Sequence, residues 1–556
     1  MEPLFYPKTF SLYNKGCYTK AQIQTDIFSG IIVGILALPL AIAFAIASGV
    51  SPDKGLVTAI VAGFIVSFLG GSRVQIGGPT GAFVVIVVGI VQVYGLQGLI
   101  ISTILAGIIL IIFGLLRLGT LIKYIPIPLV TGFTSGIAII IFTSQINDFL
   151  GLEIASLPAG FTDKWAAYLG NIGNINPWAV AIAGATILIG VYSKKIVKKI
   201  PGAFISIILM TVAAVAFELP VQTIKSVYGD IPNTFSFGDF SSFSLQGITH
   251  YFQPAITIAM LGAIESLLSA VVSDGMVSSS HRSNTELIAQ GVANIASGLF
   301  GGIPATGAIA RTATNVRNGA RTPVAGIVHA ITLALIVIFF GKYASMIPLA
   351  CLAGILIVVA YNMSEWRSFI SILRGSIYDV LVLLVTFLLT VFADLTIAIE
   401  VGVILAAMLF MQRMAWKSEV YSLETDRDNI EEYHSLPRGL SVYEINGPFF
   451  FGAANRYKEV LKAVGIKSKV MILRMRHVPF IDATGMHNFR EVLKTLNNYR
   501  VSVVLSGVSP GVYETLIKSD IEQYIPKERI CPHYDIAKPM ALEMLRNAGK
   551  QEKKND

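Results

Sequence analysis

The chain has 556 residues, of which 54% are hydrophobic and 14% charged, and its mean hydropathy is +0.68; a soluble globular protein carries nearer ~25% charge. The 76 charged residues are divided unevenly, with 39 in residues 417–556 and 37 in the first 416. So charge-poor a body has too little polar surface for a soluble globule, which leaves a polytopic membrane body followed by a soluble C-terminal domain.

The net charge of +8 does not call for a nucleic-acid partner, because the basic residues stand at the ends of apolar runs, where membrane topology places them. Cys17, Cys351 and Cys531 are far apart, so neither a disulfide framework nor a zinc site is indicated. Residues 1–26 form a polar segment with Lys8, Lys15 and Lys20. No apolar core with a small-residue cleavage site precedes the first span, and a removed signal peptide is not expected.

Apolar runs long enough to enter ~30 Å of hydrocarbon follow at Ile27–Gly49, Leu56–Gly70, Leu96–Leu116, Pro128–Leu150, Pro177–Tyr192 and Gly202–Leu219. Six more are Pro254–Ser273, Leu287–Phe300, Thr322–Phe340, Tyr343–Tyr361, Ile377–Phe392 and Leu395–Met414. Two shorter ones follow proline breaks, Thr80–Tyr94 and Thr306–Val316, for fourteen spans in all. With the N-terminus inside, Arg73, Arg117, Lys123, Lys194, Lys195, Lys198, Lys199, Arg282, Arg317, Arg321, Arg367, Arg374, Arg413 and Lys417 fall on the cytoplasmic side. Lys54, Lys164, Lys225 and Lys342 fall outside, and that bias puts both termini in the cytoplasm.

An internal repeat divides the body, about 27–219 and 254–416. Leu69-Gly70-Gly71 precedes Pro79-Thr80-Gly81-Ala82, and Phe300-Gly301-Gly302 precedes Pro304-Ala305-Thr306-Gly307-Ala308. Pro39 to Thr80 and Glu265 to Thr306 are the same 41 residues apart. Seven spans per copy force the second to run opposite to the first, the inverted-repeat plan of secondary transporters.

The breaks at Thr80 and Thr306 predict two helices starting inside the membrane, with unpaired N–H groups and positive dipole ends facing each other. Such a pair forms an anion site from Gly78, Thr80, Gly81 and Ala82 on one side and Thr306, Gly307 and Ala308 on the other. Arg311 adds a full charge, unless it snorkels to the surface. Glu265, halfway along its span with Ser266 and Ser269 nearby, is an intramembrane carboxylate of the kind that faces a cavity or partner. A group that alternates between neutral and ionised forms is what proton coupling requires; a structural hydrogen bond is the alternative. Glu400 and Asp394 read as structural or interfacial, and Asp148 as a cap. His250, His281 and His329 have no ligand spacing. No phosphate-binding loop supports ATP-driven transport.

A polar linker, residues 417–436, leads to a domain over 437–548 and a polar tail, 549–556. Strands are predicted at Leu440–Ile445, Val470–Met475 and Val501–Ser506. Helices are predicted at Ala453–Val464, Thr484–Leu496, Gly511–Lys518 and Ile536–Arg546, which makes a small α/β domain. Thr484, at a strand-to-helix turn, reads as an N-cap or a phosphorylation target.

Over almost its entire length the chain resembles the sulfate permease family of anion transporters, related to the solute carrier 26 group. The resemblance rests on Val33–Pro39, Ser48–Pro52, Gly78–Gly81 and the run from Ala263 through Arg311 to Ala320, with Ile481–Gly485 resembling the family's STAS domain. The Ala263–Ala320 run is similar to bacterial members that move C4-dicarboxylates. The resemblance implies a UraA-like fold of fourteen spans with a core of spans 1–4 and 8–11 and a gate of spans 5–7 and 12–14. It also implies elevator-like movement, a homodimer, and a cytoplasmic STAS domain that meets a protein partner. It places Thr80 and its neighbours, Glu265, Ser269 and Arg311 on the substrate or coupling-ion site. Leu40 departs from the Gln that many members carry after the first-span proline. The expectation is a non-enzymatic secondary transporter in the cell membrane that moves sulfate, bicarbonate or a C4-dicarboxylate with H+ or Na+ and uses no other cofactor. An uncoupled anion channel, a nucleobase transporter of the same fold and a sensor acting through the STAS domain are the competing readings.

Overall fold

The computed structural model describes residues 5–14, 16–120, 126–154, 157–158, 160–196, 202–232, 237–238, 249–393, 395–417, 419–422, 436–454, 457–459, 461 and 468–555. Lys123, Lys198, Lys199 and Asp394, and half of the expected helix Ala453–Val464, lie outside them. The chain divides into two compact units, Met1–Ile404 and Leu405–Asp556.

The first unit is helical. In chain order it contains α1 (Lys8–Asn14), α2 (Lys20–Ala47), α3 (Pro52–Leu69), α4 (Gly81–Leu115), α5 (Ile127–Ser144), α6 (Ile146–Leu150) and α7 (Phe161–Gly170). Then come α8 (Pro177–Ile196), α9 (Gly202–Ala216), α10 (Ile224–Tyr228), α11 (Phe252–Val277), α12 (Ser283–Leu299) and α13 (Ile309–Arg317). It ends with α14 (Val324–Ala344), α15 (Leu349–Met363), α16 (Trp366–Leu373), α17 (Ile377–Phe392) and α18 (Leu395–Lys417), the last continuing into the second unit.

Among the described residues eight helical stretches are long and apolar enough to cross a membrane: Lys20–Ala47, Pro52–Leu69, Gly81–Leu115, Ile127–Leu150, Thr249–Val277, Val324–Ala344, Leu349–Leu373 and Ile397–Trp416. Pro177–Ser193, Gly202–Ala216 and Ile377–Phe392 are apolar but shorter. The predicted segments Thr80–Tyr94 and Leu96–Leu116 are the two helical halves of α4, separated by a kink where Gly95 leaves helical geometry at a φ of 68°, a backbone that a side chain disfavours. The expected span Tyr343–Tyr361 is divided differently. α14 runs on to Ala344 and α15 starts after Pro348, its N-cap, because the ring fixes φ and cannot continue a helix.

Close packing is set by small residues. α4 crosses α12 where Gly107 meets Gly291: a Cβ on either would stand 2.6 or 2.5 Å from the other's carbonyl oxygen. Small residues allow this backbone-to-backbone approach, which drives helix association where no water is expelled. Glu286, wholly buried at the start of α12, accepts the N–H groups of Gly71 (2.8 Å) and Ser72 (3.0 Å) and the Gln290 amide (3.0 Å). Asp26, equally buried on α2, accepts from Arg321 N (2.8 Å), Thr322 Oγ1 (2.5 Å) and Gln22 Nε2 (3.0 Å). These carboxylates avoid the cost of burial by accepting several donors each.

In the second unit a five-stranded sheet is ordered β3 (Glu419–Ser422), β4 (Leu440–Asn446), β5 (Val470–His477), β6 (Ser502–Ser506) and β7 (Ile530–Cys531). β3 is antiparallel to β4 and the other neighbours are parallel. Helices α19 (Ala483–Asn498), α20 (Pro510–Ile517) and α21 (Tyr534–Asn555) complete the α/β domain. Two expectations are corrected. The polar linker contains β3, which finds ladder partners on β4 from Glu419 to Ser422. The polar tail is part of α21, which reaches Asn555 because 549–554 lack a helix breaker after Gly549. Glu444, buried on β4, holds Arg476 Nε at 2.5 Å and His477 Nε2 at 3.4 Å.

Candidate anion site between two broken helices

The site begins with two extended pairs of residues. β1 (Gly77–Gly78) and β2 (Thr306–Gly307) pair antiparallel, Gly77 with Gly307 and Gly78 with Thr306. The segments that lead into α4 and α13 thus run antiparallel to each other. Each leads into a helix, α4 with Thr80 as N-cap and α13 with Ala308 as N-cap. Thr80 and Ala308 are extended, so the first N–H groups of both helices, including those of Gly81 and Ala82, lack intrahelical partners.

Thr306 does not start the second helix, contrary to expectation. It lies in β2, fully buried, and its Oγ1 donates to the Gly262 carbonyl (3.0 Å) and accepts from Ser266 Oγ (2.7 Å). Pairing with Gly78 keeps Thr306 extended, and the helix begins three residues later. Gly307 N donates to Ser266 Oγ at 3.2 Å. The Ser269 hydroxyl donates to Thr312 Oγ1 (3.3 Å), which also accepts from Ile76 N (3.0 Å). Ser266, Thr306, Ser269 and Thr312 therefore hold β1, β2 and α13 against α11.

Thr80 and Glu265 are brought together, with Thr80 Oγ1 donating to Glu265 Oε2 at 2.9 Å. Both are partly exposed, whereas Gly78, Gly81 and Ala82 are buried. Arg311 does not snorkel. It is 2% exposed and its Nη2 donates to the Pro79 carbonyl, while Nη1 has no partner. Gly78, at φ 145°, has to be glycine twice over, since a Cβ there would stand 2.7 Å from Arg311 Nη1. Among the described residues no carboxylate pairs with Arg311.

A cavity of about 610 Å³ ends at this arginine. Ile32, Leu36 and Leu40 of α2, Ser206 of α9, Val359 of α15 and Arg317 of α13 are on its wall. Thr80, Gly81 and Glu265 are not, and the space a Gly81 side chain would need is taken by Phe44, Ile141 and Met363. The start of α4 is thus covered by apolar side chains while Arg311 borders open space. Sequence reading missed Gln75, whose amide donates to the Ser266 carbonyl at 3.1 Å, together with buried Asp26 and Glu286. Asp26 reads as an ordinary boundary residue, since nothing in its spacing announces the Thr322 hydroxyl. Glu286 stands at the start of an apolar run, where a carboxylate reads as a boundary residue, and nothing local announces the N–H groups of Gly71 and Ser72.

In the second unit Thr484 is not the N-cap. Asp482 is, in extended conformation, and its carboxylate accepts from Gly485 N (2.7 Å) and Phe451 N (3.0 Å). Asp satisfies the same orphan donors two residues earlier, which leaves Thr484 exposed within the first turn.

A bundle of apolar helices with two interrupted ones meeting at a buried cation is a membrane transport body for anions. Comparison gives the family. Residues 23–386 match the sulfate permease family and residues 431–537 the STAS domain. The chain belongs to the sulfate permease family, as a multi-pass membrane anion transporter with a C-terminal STAS domain, and is not an enzyme. It is 41% identical over 520 residues to "Putative sulfate transporter YvdB" of Bacillus subtilis (strain 168), covering 93% of this chain and 98% of that one. It is 30% identical over 527 residues to the bicarbonate transporter BicA of Picosynechococcus sp., covering 91% and 92%. Its fold is that of murine Solute Carrier 26 family member A9, an anion transporter solved in the inward-facing state, with a TM-score of 0.86 at 18% identity over 97% and 94% of the two chains.

Proposed function

We propose that this chain is a secondary active transporter of a small oxyanion, with sulfate and bicarbonate as the first substrates to test and C4-dicarboxylates next. The observation that carries the reading is Arg311, a buried cation with no carboxylate partner among the described residues, on the wall of a cavity. An isolated buried charge is costly, and an anion entering the cavity supplies what the fold does not. The first N–H groups of α4 and α13 add their dipole ends. The names of the two relatives favour sulfate and bicarbonate; dicarboxylates rest on the resemblance of Ala263–Ala320 alone.

Fourteen spans in two inverted sevens account for the antiparallel pairing of β1 with β2, since copies of opposite direction meet that way. In that plan α2, α3, α4 and α11–α14 form a core, and α5, α8, α9, α15, α17 and α18 form a gate. The cavity lies between α2 and α13 of the core and α8, α9 and α15 of the gate. Its wall includes Arg317 and Asn318, residues the charge map puts on the cytoplasmic side of a cell-membrane protein with both termini inside, and on that ground the structure is read as inward-facing. Movement of the core against the gate carries the anion across, in a homodimer. The STAS domain is cytoplasmic, and its exposed Thr484 is offered as a site of phosphorylation or of contact with a protein partner.

Glu265 is assigned the coupling ion, H+ or Na+, because it is an intramembrane carboxylate that accepts a hydrogen bond from the Thr80 hydroxyl. Proteoliposomes test both claims. Labelled sulfate or bicarbonate should accumulate against its gradient when an inward H+ or Na+ gradient is imposed. Glu265→Gln, which keeps an acceptor for Thr80 but cannot ionise, should lose accumulation while retaining exchange. Uptake by Glu265→Gln with unchanged pH and Na+ dependence would remove Glu265 from coupling. Large currents without accumulation would instead favour a channel.

A further inference from the structure

A second cavity of the first unit, about 670 Å³, has no charged residue on its wall, and Thr211 and Tyr343 are its only polar side chains among the described residues. On α9 the lining runs from Phe204 to Ala216 in alternate steps of three and one, the spacing of a single helix face. Between those two residues the helix rises ~18 Å. Ile336, Phe340, Tyr343 and Ala344 line the cavity from one face of α14. Helix α2, against which both α9 and α14 pack, contributes Ile35 and Leu38.

The lining is graded in exposure. Leu38, Ile207 and Ala344 are buried, whereas Val212, Val215, Phe340 and Tyr343 are more than half exposed. The cavity is therefore a groove on the outside of the helical unit, not an enclosed void. In a multi-pass membrane protein an apolar groove between apolar helices faces lipid. Water does not suit it, since a held water needs two to four polar partners. Left empty, the groove would forfeit the dispersion contacts of its whole lining, and such contacts are what packs a membrane protein together. An acyl chain supplies them. The length agrees, because one leaflet contributes half of ~30 Å of hydrocarbon and the groove runs ~18 Å along α9.

We propose that this groove is a binding site for one acyl chain of a membrane phospholipid, which lies along α9 and α14 over α2. In the core-and-gate plan α2 and α14 belong to one body and α9 to the other. The bound chain then packs the seam along which the two bodies move. That consequence rests on the transport reading; the lipid site does not.

The test uses the full chain in phosphatidylcholine liposomes that include a phosphatidylcholine with a photoactivatable diazirine on one acyl chain. Irradiation and peptide mapping should concentrate adducts on residues 204–216 and 336–347. Leu188 of α8 and Leu388 of α17, exposed residues off the groove, should carry markedly fewer. Ala216→Trp places an indole in the groove from a position already exposed. It should lower the groove adducts about fivefold, as expected where the chain loses contact with part of its wall, and leave those at Leu188 and Leu388 unchanged. Even labelling of all exposed apolar residues, or groove adducts untouched by Ala216→Trp, overturns the site. Groove residues that escape the lipid and cross-link to a second copy of the chain would reveal a protein interface and overturn it as well. Should Ala216→Trp not insert, the adduct map of the parent decides. With labelled sulfate and bicarbonate, Ala216→Trp should reduce the maximal uptake rate about threefold at an unchanged KM, since Arg311 is not on this wall. A parental rate despite lost adducts overturns the part given to the lipid in movement. A parent that carries neither anion defeats the transport reading, and the adduct map still decides the site.

Discussion

Arg311 shows why residue identity matters more than charge at this site. Its planar fork donates through Nη2 to the Pro79 carbonyl and keeps Nη1 against Gly78, a division of labour that a lysine's single ammonium cannot reproduce. Arg311→Lys keeps the charge yet has to choose between the carbonyl and the anion. Hydrogen bonds to charged groups contribute about 1.5–3 kcal/mol, so the variant should raise the KM for the transported anion by roughly ten- to a hundredfold. Uptake at graded anion concentrations, normalised to protein recovered from the liposomes, measures it; a KM within threefold of the parent would mean that charge alone suffices. Arg311 was legible in the sequence because a charge within an apolar run is conspicuous. Its orientation was not, since the snorkelling alternative differs only in which way a flexible stem turns, and the Pro79 carbonyl that decides it is 232 residues away. Ser269 illustrates the same limit: proximity to Glu265 along α11 was visible, but its hydrogen-bond partner Thr312, 43 residues away, was not.

At the scale of elements, the crossing of α4 with α12 is set by Gly107 and Gly291, which bring the two backbones together. A side chain at Gly107 meets a carbonyl oxygen at 2.6 Å, and an oxygen of the backbone cannot swing aside as a side chain can. Overpacking of this kind costs about 1–3 kcal/mol even where the surroundings relax. Gly107→Leu should therefore lower the Tm of the detergent-purified protein by several degrees. Gly89→Ala, also on α4 but with nothing within 4 Å of the added Cβ, should leave Tm unchanged or raise it slightly, as alanine favours helix over glycine. Equal shifts in the two variants would show that helix propensity, not the crossing, sets stability. The helices themselves were readable because apolar runs are local signals, as was the division at Gly95; the break at Pro348 was not, because the apolar run from Tyr343 to Tyr361 continues across it. The start of α13 was displaced by three residues because β1, distant in sequence, pairs with β2 and holds Thr306 extended. β3 was missed because a short polar segment becomes a strand only beside β4. Asp482 outcompeted Thr484 as cap because it could also accept from Phe451, which is 31 residues away. In each case the missing information was a long-range partner.

For the whole molecule, the opening of the cavity and the charge map make one joint claim that can be tested from both faces of the membrane. Asn318 is on the cavity wall next to Arg317, at the end of α13. Val93, 72% exposed, stands beside the bend of α4, on the side the positive-inside rule assigns to the exterior. Single cysteines at these positions, placed in a chain whose Cys17, Cys351 and Cys531 are replaced, should respond oppositely to a membrane-impermeant maleimide. Asn318→Cys should react in inside-out vesicles and stay unlabelled in right-side-out ones, and Val93→Cys should do the reverse. Added sulfate or bicarbonate should slow labelling of Asn318→Cys only, because an anion drawn towards Arg311 enters past that position. Orientation and substrate access separate cleanly in this design. Labelling of both cysteines from the same side would invalidate the charge map, and correct sidedness without protection by either anion would place the anion's route elsewhere.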